Sequence, residues 1–506
     1  MYLTVANGTL TNSSFINNKA GSMGGCIRFS SGAVNCAVSG CNFISNTANA
    51  GGVIYWYFSN GTISNCNYIN NHANQGDNIY WYWTVEDFLN NYGQINDYDY
   101  LLIRNGVGTP SKTIVLNKKG ITISSEGRVT FDARGGNLHF EVTGDNILIE
   151  KITFRNFNFT GYGGAIQWTG NYGTLKNCNF INNTAINGGS VDWRVGNGNL
   201  IGCTFNNNSA NTDGGAVNWV SVNGNLTNST FINNTANYGS AVCWHAFNGS
   251  LTGSTFINNT ARVRGAVCWY GTKGTLSNST FTSNIANSNG GAIYWSGISG
   301  NLIDSIFINN HGPNAGAVYW IGDNGTIFKC NFINNHAVRG AGFYINGING
   351  TLKDSTFIGN EASSDGAAVR WDGANGVLTN SIFINNTALD ASAGIQWIGI
   401  NGTLKDSTFK DNTATRIGGA IYWHQSGVMI DCVFTNSKWI NNNTKSNGIF
   451  VANNLKIHGG NGIVDIVTGT TGILSGISIV VLNNETYYYP PNTNINLPNK
   501  KTQNLI

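Results

Sequence analysis

Acid–base chemistry on glycans and Ca²⁺ binding both need carboxylates held close together, with a base or cation beside them. The acidic residues of this chain are thinly spread, 24 Asp and Glu among 506 residues. Asp304, Asp354 and Asp406 share one sequence register, but that position is otherwise Asn, which marks a turn. The densest charged grouping sets Arg339 one repeat before Asp365, with Asp390 one repeat before Arg416 just beyond. A ladder of surface ion pairs accounts for it at little energetic gain. These four residues are nevertheless the ligand-binding candidates that the sequence offers. No residue reads as catalytic, and no enzymatic activity is expected.

The thiols and imidazoles point the same way. Of the ten Cys, Cys41, Cys66, Cys178, Cys203, Cys330 and Cys432 each lie two residues before a recurring aromatic, in a slot that is elsewhere Ser or another small residue. A position shared by Ser and Cys reads as small and buried. Cys41/Cys66, Cys178/Cys203 and Cys243/Cys268 are each one repeat apart, near enough to bridge, so disulfides stand beside buried thiols as a reading. No CxxC or His-spaced zinc pattern is present and the seven His are dispersed, so neither metal nor cofactor is expected.

What could position any of these residues is a repeat. A Phe followed three residues later by Asn recurs as Phe180/Asn183, Phe205/Asn208, Phe231/Asn234, Phe256/Asn259 and Phe281/Asn284, and onward to Phe409/Asn412, at spacings of 25 or 26 residues. An apolar residue lies five before each Phe, as at Leu175, Leu200 and Leu226. A Trp column runs through Trp168, Trp193, Trp219, Trp244 and Trp269 to Trp423, broken once by Ile345, and small GGA-type triplets precede most of its members. The segments are short, β-branched or aromatic, and punctuated by Gly and Asn, which is the grammar of strands and turns. No amphipathic helical spacing occurs within the repeat.

Residues five apart point to opposite faces of one flat strand, yet the Leu and Phe columns both stay apolar, so the chain must bend between them. These features predict an all-β fold, a right-handed parallel β-helix (solenoid) with 25–26-residue coils. One coil cannot bury its own apolar face, and stacking does it for all. The Asn column then forms a ladder of side-chain amides. In the Trp column, alternation with a variable neighbour (Gln167, Asp192, Asn218, Cys243, Tyr294, Arg370) favours indoles inside and those neighbours facing solvent. An outward Trp track able to stack on sugar rings is the alternative.

Residues 1–83 read as the C-terminal coils of a first β-helix, and 84–112 as a linker or cap with a short helix around Val85–Asn91. Residues 113–440 read as a second β-helix, and 441–506 as closing coils or a truncated Ig-like segment. The first residues, MYLTVANGTLTNSSF, open in mid-repeat with no basic or apolar leader region, which reads as a fragment or a gene product lacking its leader. A net charge of +3 without a Lys/Arg cluster excludes a nucleic-acid surface, and no apolar run of 18 residues marks a membrane insertion. Sequons such as Asn182, Asn258 and Asn349 come automatically with NNT and NGT repeats.

The paired signatures GGA(I/V) and FxxN, in this order, resemble those of the chlamydial polymorphic outer-membrane proteins and of the adhesin-like surface proteins of methanogenic archaea. The resemblance covers 1–83 and 150–440. It implies a pectin-lyase-like β-helix, export to the cell surface, and adhesion or envelope architecture, with host or neighbouring-cell glycans or proteins as partners. A carbohydrate-binding or carbohydrate-cleaving β-helix and a purely structural stalk are the alternatives.

Overall fold

Each coil turns because four of its residues take the left-handed backbone conformation. The computed structural model describes residues 1–57, 61–415, 419–425 and 427–435, together with the backbone of strand segments between Trp439 and Ile495. The fold is a right-handed parallel β-solenoid with about 25 residues per turn. Contacts divide the chain into two compact units, Met1–Asn211 with Gly215–Thr230, and Thr212–Gly214 with Phe231–Ile506.

A coil of the first unit shows the pattern. Strands β1 (Thr174–Lys176), β2 (Asn179–Ile181), β3 (Thr184–Ala185) and β4 (Val191–Trp193) are separated by bends at Tyr172, Asn177, Asn182 and Gly188, whose φ angles are 56°, 52°, 54° and 61°. Left-handed geometry costs most residues about 1–2 kcal/mol, and Asn tolerates it best after Gly. The abundance of Asn therefore follows from the number of corners. Asn177 is the bend that lets Leu175 and Phe180 both point inward, and Asp304, Asp354 and Asp406 occupy the same corner in later coils with φ of 46°, 54° and 51°.

Inside the first unit, the columns stack at the strand spacing expected of a sheet. Phe180 and Phe205 lie 4.7 Å apart and nearly coplanar, and Trp168 and Trp193 lie 4.6 Å apart. The Nδ2 of Asn183 donates to Asn208 Oδ1 at 3.1 Å and to the Phe154 carbonyl at 3.1 Å. An earlier run of coils is built alike, with Phe15 stacked on Phe43 and Asn46 donating to Asn71. Helix α1 (Val85–Asn91) begins at a capping box of Thr84 and Asp87 and places Phe88 against Phe131, 5.2 Å between ring centres. The strand Tyr100–Gly108 pairs in parallel with Ile79–Trp83 on one side and with Thr122–Asp132 on the other, so the sheet runs past the helix without a gap.

The second unit repeats the design. Phe231, Phe256 and Phe281 stack at 4.8 and 4.5 Å, and Trp244, Trp269 and Trp295 at 4.8 and 4.7 Å, all fully buried. Asn234, Asn259 and Asn284 continue the amide ladder at 2.9 and 3.0 Å. The Trp column thus lies inside and not on the outer surface. Each indole rests on the Gly five residues after it: a Cβ on Gly274 would sit 2.2 Å from Trp269 Nε1. Ser and Cys share one buried slot because both donate to the carbonyl two residues back, as Ser254 does to Thr252 and Cys330 to Phe328. All ten cysteines are free thiols. Within 441–506, the backbone strands Phe450–Asn453, Lys456–His458, Ile463–Thr468, Gly472–Ser475 and Ser478–Leu482 pair in parallel with preceding strands, and Glu485–Tyr489 and Thr493–Ile495 pair antiparallel; the residues between these strands lie outside the described residues.

Phe256→Ala is expected to cost about 3–5 kcal/mol, with amide hydrogen exchange accelerated in the coils on either side and unchanged several coils away. Asn259→Ala removes the bonds that its side chain accepts from the backbone and side-chain N–H groups of Asn234 and the one it donates to the Phe231 carbonyl, each at about 1–3 kcal/mol. It should therefore destabilise at least as much as the Phe variant by chemical denaturation. A loss under 1 kcal/mol, on the order of one exposed hydrogen bond, would refute the ladder.

Candidate functional site

The GGA corner differs from the other three because its two flanks face each other from outside. In the second unit, the residue before the first Gly comes from one flank: Asp213, Tyr238, Asn289, Arg339 and Asp365 precede Gly214, Gly239, Gly290, Gly340 and Gly366. Those glycines have φ of 62°, 59°, 62°, 61° and 60°. A Cβ at Gly239 would lie 2.3 Å from the Val242 carbonyl oxygen, which favours Gly at this corner, although Ala315 and Ser392 take the same left-handed position in two later coils. The other flank is the outward face of the Trp strand: Cys243, Cys268, Tyr294, Tyr319, Tyr344, Arg370 and Gln396, paired in register. These positions point out of the coil, as alternation requires, but they are not open to solvent. Cys243 and Cys268 are fully buried, Tyr294 is 5% exposed and Gln396 5%. The opposite flank covers them, and the result is a cleft along the corner.

Bulges aim side chains into this cleft. The register shifts between Ala236 and Tyr238, and again between Ala337 and Arg339, so that Tyr238 pairs with Arg264 and Arg339 with Asp365, the later coil carrying one extra residue each time. Arg264 thereby lies over the rings of Tyr294, Tyr238 and Tyr270 at 4.3, 5.2 and 5.6 Å, and donates to the Tyr270 hydroxyl at 2.7 Å. Further along, Arg370 bonds Asp372 through Nε at 3.1 Å and pairs with Asp365 at 3.6 Å. Its guanidinium covers Tyr344 at 5.1 Å, and the Tyr344 hydroxyl donates to Asp372 at 2.6 Å. Burial, and then the bond to Asp372, push the Tyr344 phenol up to about 12. Tyr319 stands between, half-buried, its ring 5.8 Å from Tyr294 and 4.9 Å from Tyr344.

At the end of the cleft nearest Asp213, a thiol, an imidazole and a carboxylate meet. Cys243 Sγ lies 3.3 Å from His245 Nε2, which is 3.7 Å from Asp213 Oδ2. Burial raises the Asp213 carboxyl above the usual carboxylate range, with His245 and Arg264 opposing it. Burial and the neighbouring Cys268 thiol hold Cys243 well above the ordinary thiol range. Cys, His and Asp are the donor types that hold a borderline-soft divalent metal.

Of the charged residues singled out by sequence, Arg339 and Asp365 are opposed in register, but the ion pair of Asp365 is with Arg370, and Arg339 is exposed. Asp390 is half-buried, and Arg416 lies outside the described residues. The tyrosine row, Arg264 and the Cys–His–Asp group were missed. A pattern search along the chain cannot join Asp213 to a Cys-x-His pair lying in the next coil. The available signal is the variable residue before each Trp, which alternation alone turns toward solvent.

The class defined by this architecture is the right-handed parallel β-helix, and a family model described as a right handed beta helix region matches residues 240–399. Within that class the chain carries a repeat of the Chlamydia polymorphic membrane protein type, matched at residues 406–422. No curated protein matches the chain. Among solved structures, it is similar to a mannuronic acid specific polysaccharide family 6 lyase from human gut microbiota, with 12% identity, 70% of this chain and 86% of that chain covered, and a TM-score of 0.43. It is also similar to a family 6 polysaccharide lyase from Pseudopedobacter saltans (10% identity, 70% and 84% covered, TM-score 0.32). A third similar structure is the catalytic domain of a GH87 alpha-1,3-glucanase (12%, 76% and 66%, TM-score 0.24). The expectation that the chain is not an enzyme is corrected by these neighbours, which are lyases and glucanases. At about 10% identity the likeness is one of fold and not of activity. Among the described residues, no helix is long and apolar enough to cross a membrane, which says nothing of strands.

Asp372→Asn removes the charge and weakens the acceptor that, after burial, raise the Tyr344 phenol. The Tyr344 resonance in tyrosine-labelled protein should then titrate at lower pH than in the wild type. An unchanged titration would mean that the Tyr344–Asp372 bond does not form.

Proposed function

We propose that the chain is an adhesin-like module displayed at a cell surface, and that the corner cleft of the second unit binds a glycan of a host or neighbouring cell. The observation that carries this reading is the row of Tyr294, Tyr319 and Tyr344 edged by Arg264 and Arg370. The half-buried Tyr319, with the ring edges of Tyr294 and Tyr344 beside it, offers apolar contact to a sugar ring, and the adjoining carboxylates and guanidinium groups offer bonds to hydroxyls. The row advances one residue per coil, so a chain molecule lying along the corner would meet the same chemistry repeatedly. Display at the envelope is supported by the polymorphic-membrane-protein type of repeat.

The test is a panel of immobilised polysaccharides and cell-surface glycans presented to the purified chain. Binding to at least one is expected, and Tyr319→Ala should weaken it at least about tenfold, equivalent to 1.4 kcal/mol, with the β-sheet circular dichroism preserved. Tyr172→Ala, an exposed tyrosine at a different corner, should leave binding unchanged. Equal binding by the Tyr319 variant, or no binding across the panel, overturns the proposal. Antibody labelling of intact producing cells checks display, and labelling only after lysis would count against it.

A further inference from the structure

We propose that Asp213, Cys243 and His245 form a binding site for a divalent transition-metal ion of the zinc type. The three donor atoms lie within 4.8 Å of one another. A zinc ion bound at about 2.3 Å to sulfur and about 2.0–2.1 Å to nitrogen and oxygen, with tetrahedral angles, places sulfur and nitrogen about 3.5 Å apart and nitrogen and oxygen about 3.3 Å apart. The observed separations are 3.3 Å and 3.7 Å, so side-chain shifts of a few tenths of an ångström seat the ion. Both distances run to the same imidazole nitrogen, Nε2, as a shared ion requires.

The fold presents these donors for a reason independent of the pair distances. Cys243 and His245 flank Trp244, so burying the indole turns both outward on one face of the strand. Asp213 precedes the left-handed Gly214 and bridges to Tyr238, which brings its carboxylate from the opposite flank. The Cys243 side chain is fully buried, and Tyr270 stacks on His245 with ring centres 5.1 Å apart, which limits competition from water. Binding displaces the thiol proton to solvent. Thiolate and carboxylate then offset the charge of the dication, so Arg264 faces a neutral centre. Three protein donors leave a fourth position for water or an exogenous ligand, the arrangement of reactive rather than purely structural zinc sites. One thiolate, one imidazole and one carboxylate form a mixed donor set that suits zinc better than calcium or magnesium, which take oxygen ligands.

The experiment uses the full chain, reduced, stripped with a chelator and titrated with Co²⁺ in place of zinc. One equivalent is expected to bind with a thiolate-to-cobalt charge-transfer band in the near ultraviolet and the visible bands of four-coordinate cobalt, and Zn²⁺ should bleach both. Cys243→Ser should remove the charge-transfer band. His245→Ala and Asp213→Asn should each weaken Co²⁺ binding by at least the roughly 10–100-fold that loss of an outer-shell partner costs. Cys330→Ser, which alters a buried thiol elsewhere in the same unit, should leave the spectrum intact. No charge-transfer band in the wild type, a band that survives Cys243→Ser, or unweakened binding by both the His245 and Asp213 variants overturns the site.

Discussion

A buried primary amide has two N–H donors and an acceptor oxygen to satisfy, and along the Asn column of this molecule the coils on either side supply the partners. Asn259 donates to the Asn284 oxygen and to the Phe231 carbonyl, and its own oxygen accepts both the side-chain and the backbone N–H of Asn234. Sliding a coil by one residue would break all four bonds and turn every inward side chain outward. The ladder therefore fixes register, and register is what brings Phe onto Phe and Trp onto Trp. Dispersion and burial supply most of the stabilisation, whereas the amides decide which stacking is allowed.

The corners follow from the same need. A coil of about 25 residues must bend four times while keeping its short strands parallel to those of its neighbours, and left-handed residues make each bend in a single step. Three bends are mostly Asn, with Asp, Lys, Ser, Gly and Tyr172 in some coils. The fourth is Gly in most coils because a Cβ there meets a carbonyl, at 2.3 Å for Gly188 and Gly239 and 2.0 Å for Gly290. Its reward is a re-entrant angle in which outward residues are sheltered. That shelter gives Cys243, Tyr294 and Arg370 surroundings unlike those of an ordinary surface strand.

The repeat was legible in the sequence because it is written in residues that the core restricts. Phe every 25 or 26 positions, Asn three later and Trp in its own column leave little choice but a stack of coils. The short helix at Val85–Asn91 showed as a break in that rhythm. The cleft was not legible, since its residues vary from coil to coil and carry no period of their own. Asp213 and His245 stand 32 positions apart, and only a bend of known direction brings them together. The pairing of Arg339 with Asp365 was read from register alone, and the structure hands Asp365 to Arg370 because the bulge in that coil turns the carboxylate across the corner.

From Phe180 to Trp423 the variation between 25 and 26 residues has a single address. Ala185 and Val191 are separated by one residue fewer than Ala210 and Val217, so the additional residue enters between β3 or its equivalent and the GGA corner. Length changes there leave the Phe, Asn and Trp columns untouched. The coil is consequently a unit of inheritance as well as of structure. A gene that gains or loses one whole repeat by recombination between its near-identical neighbours still encodes unbroken columns, and a single inserted codon survives when it falls at the cleft margin. Such a gene can lengthen, shorten and diversify its outward face over generations while its interior stays the same.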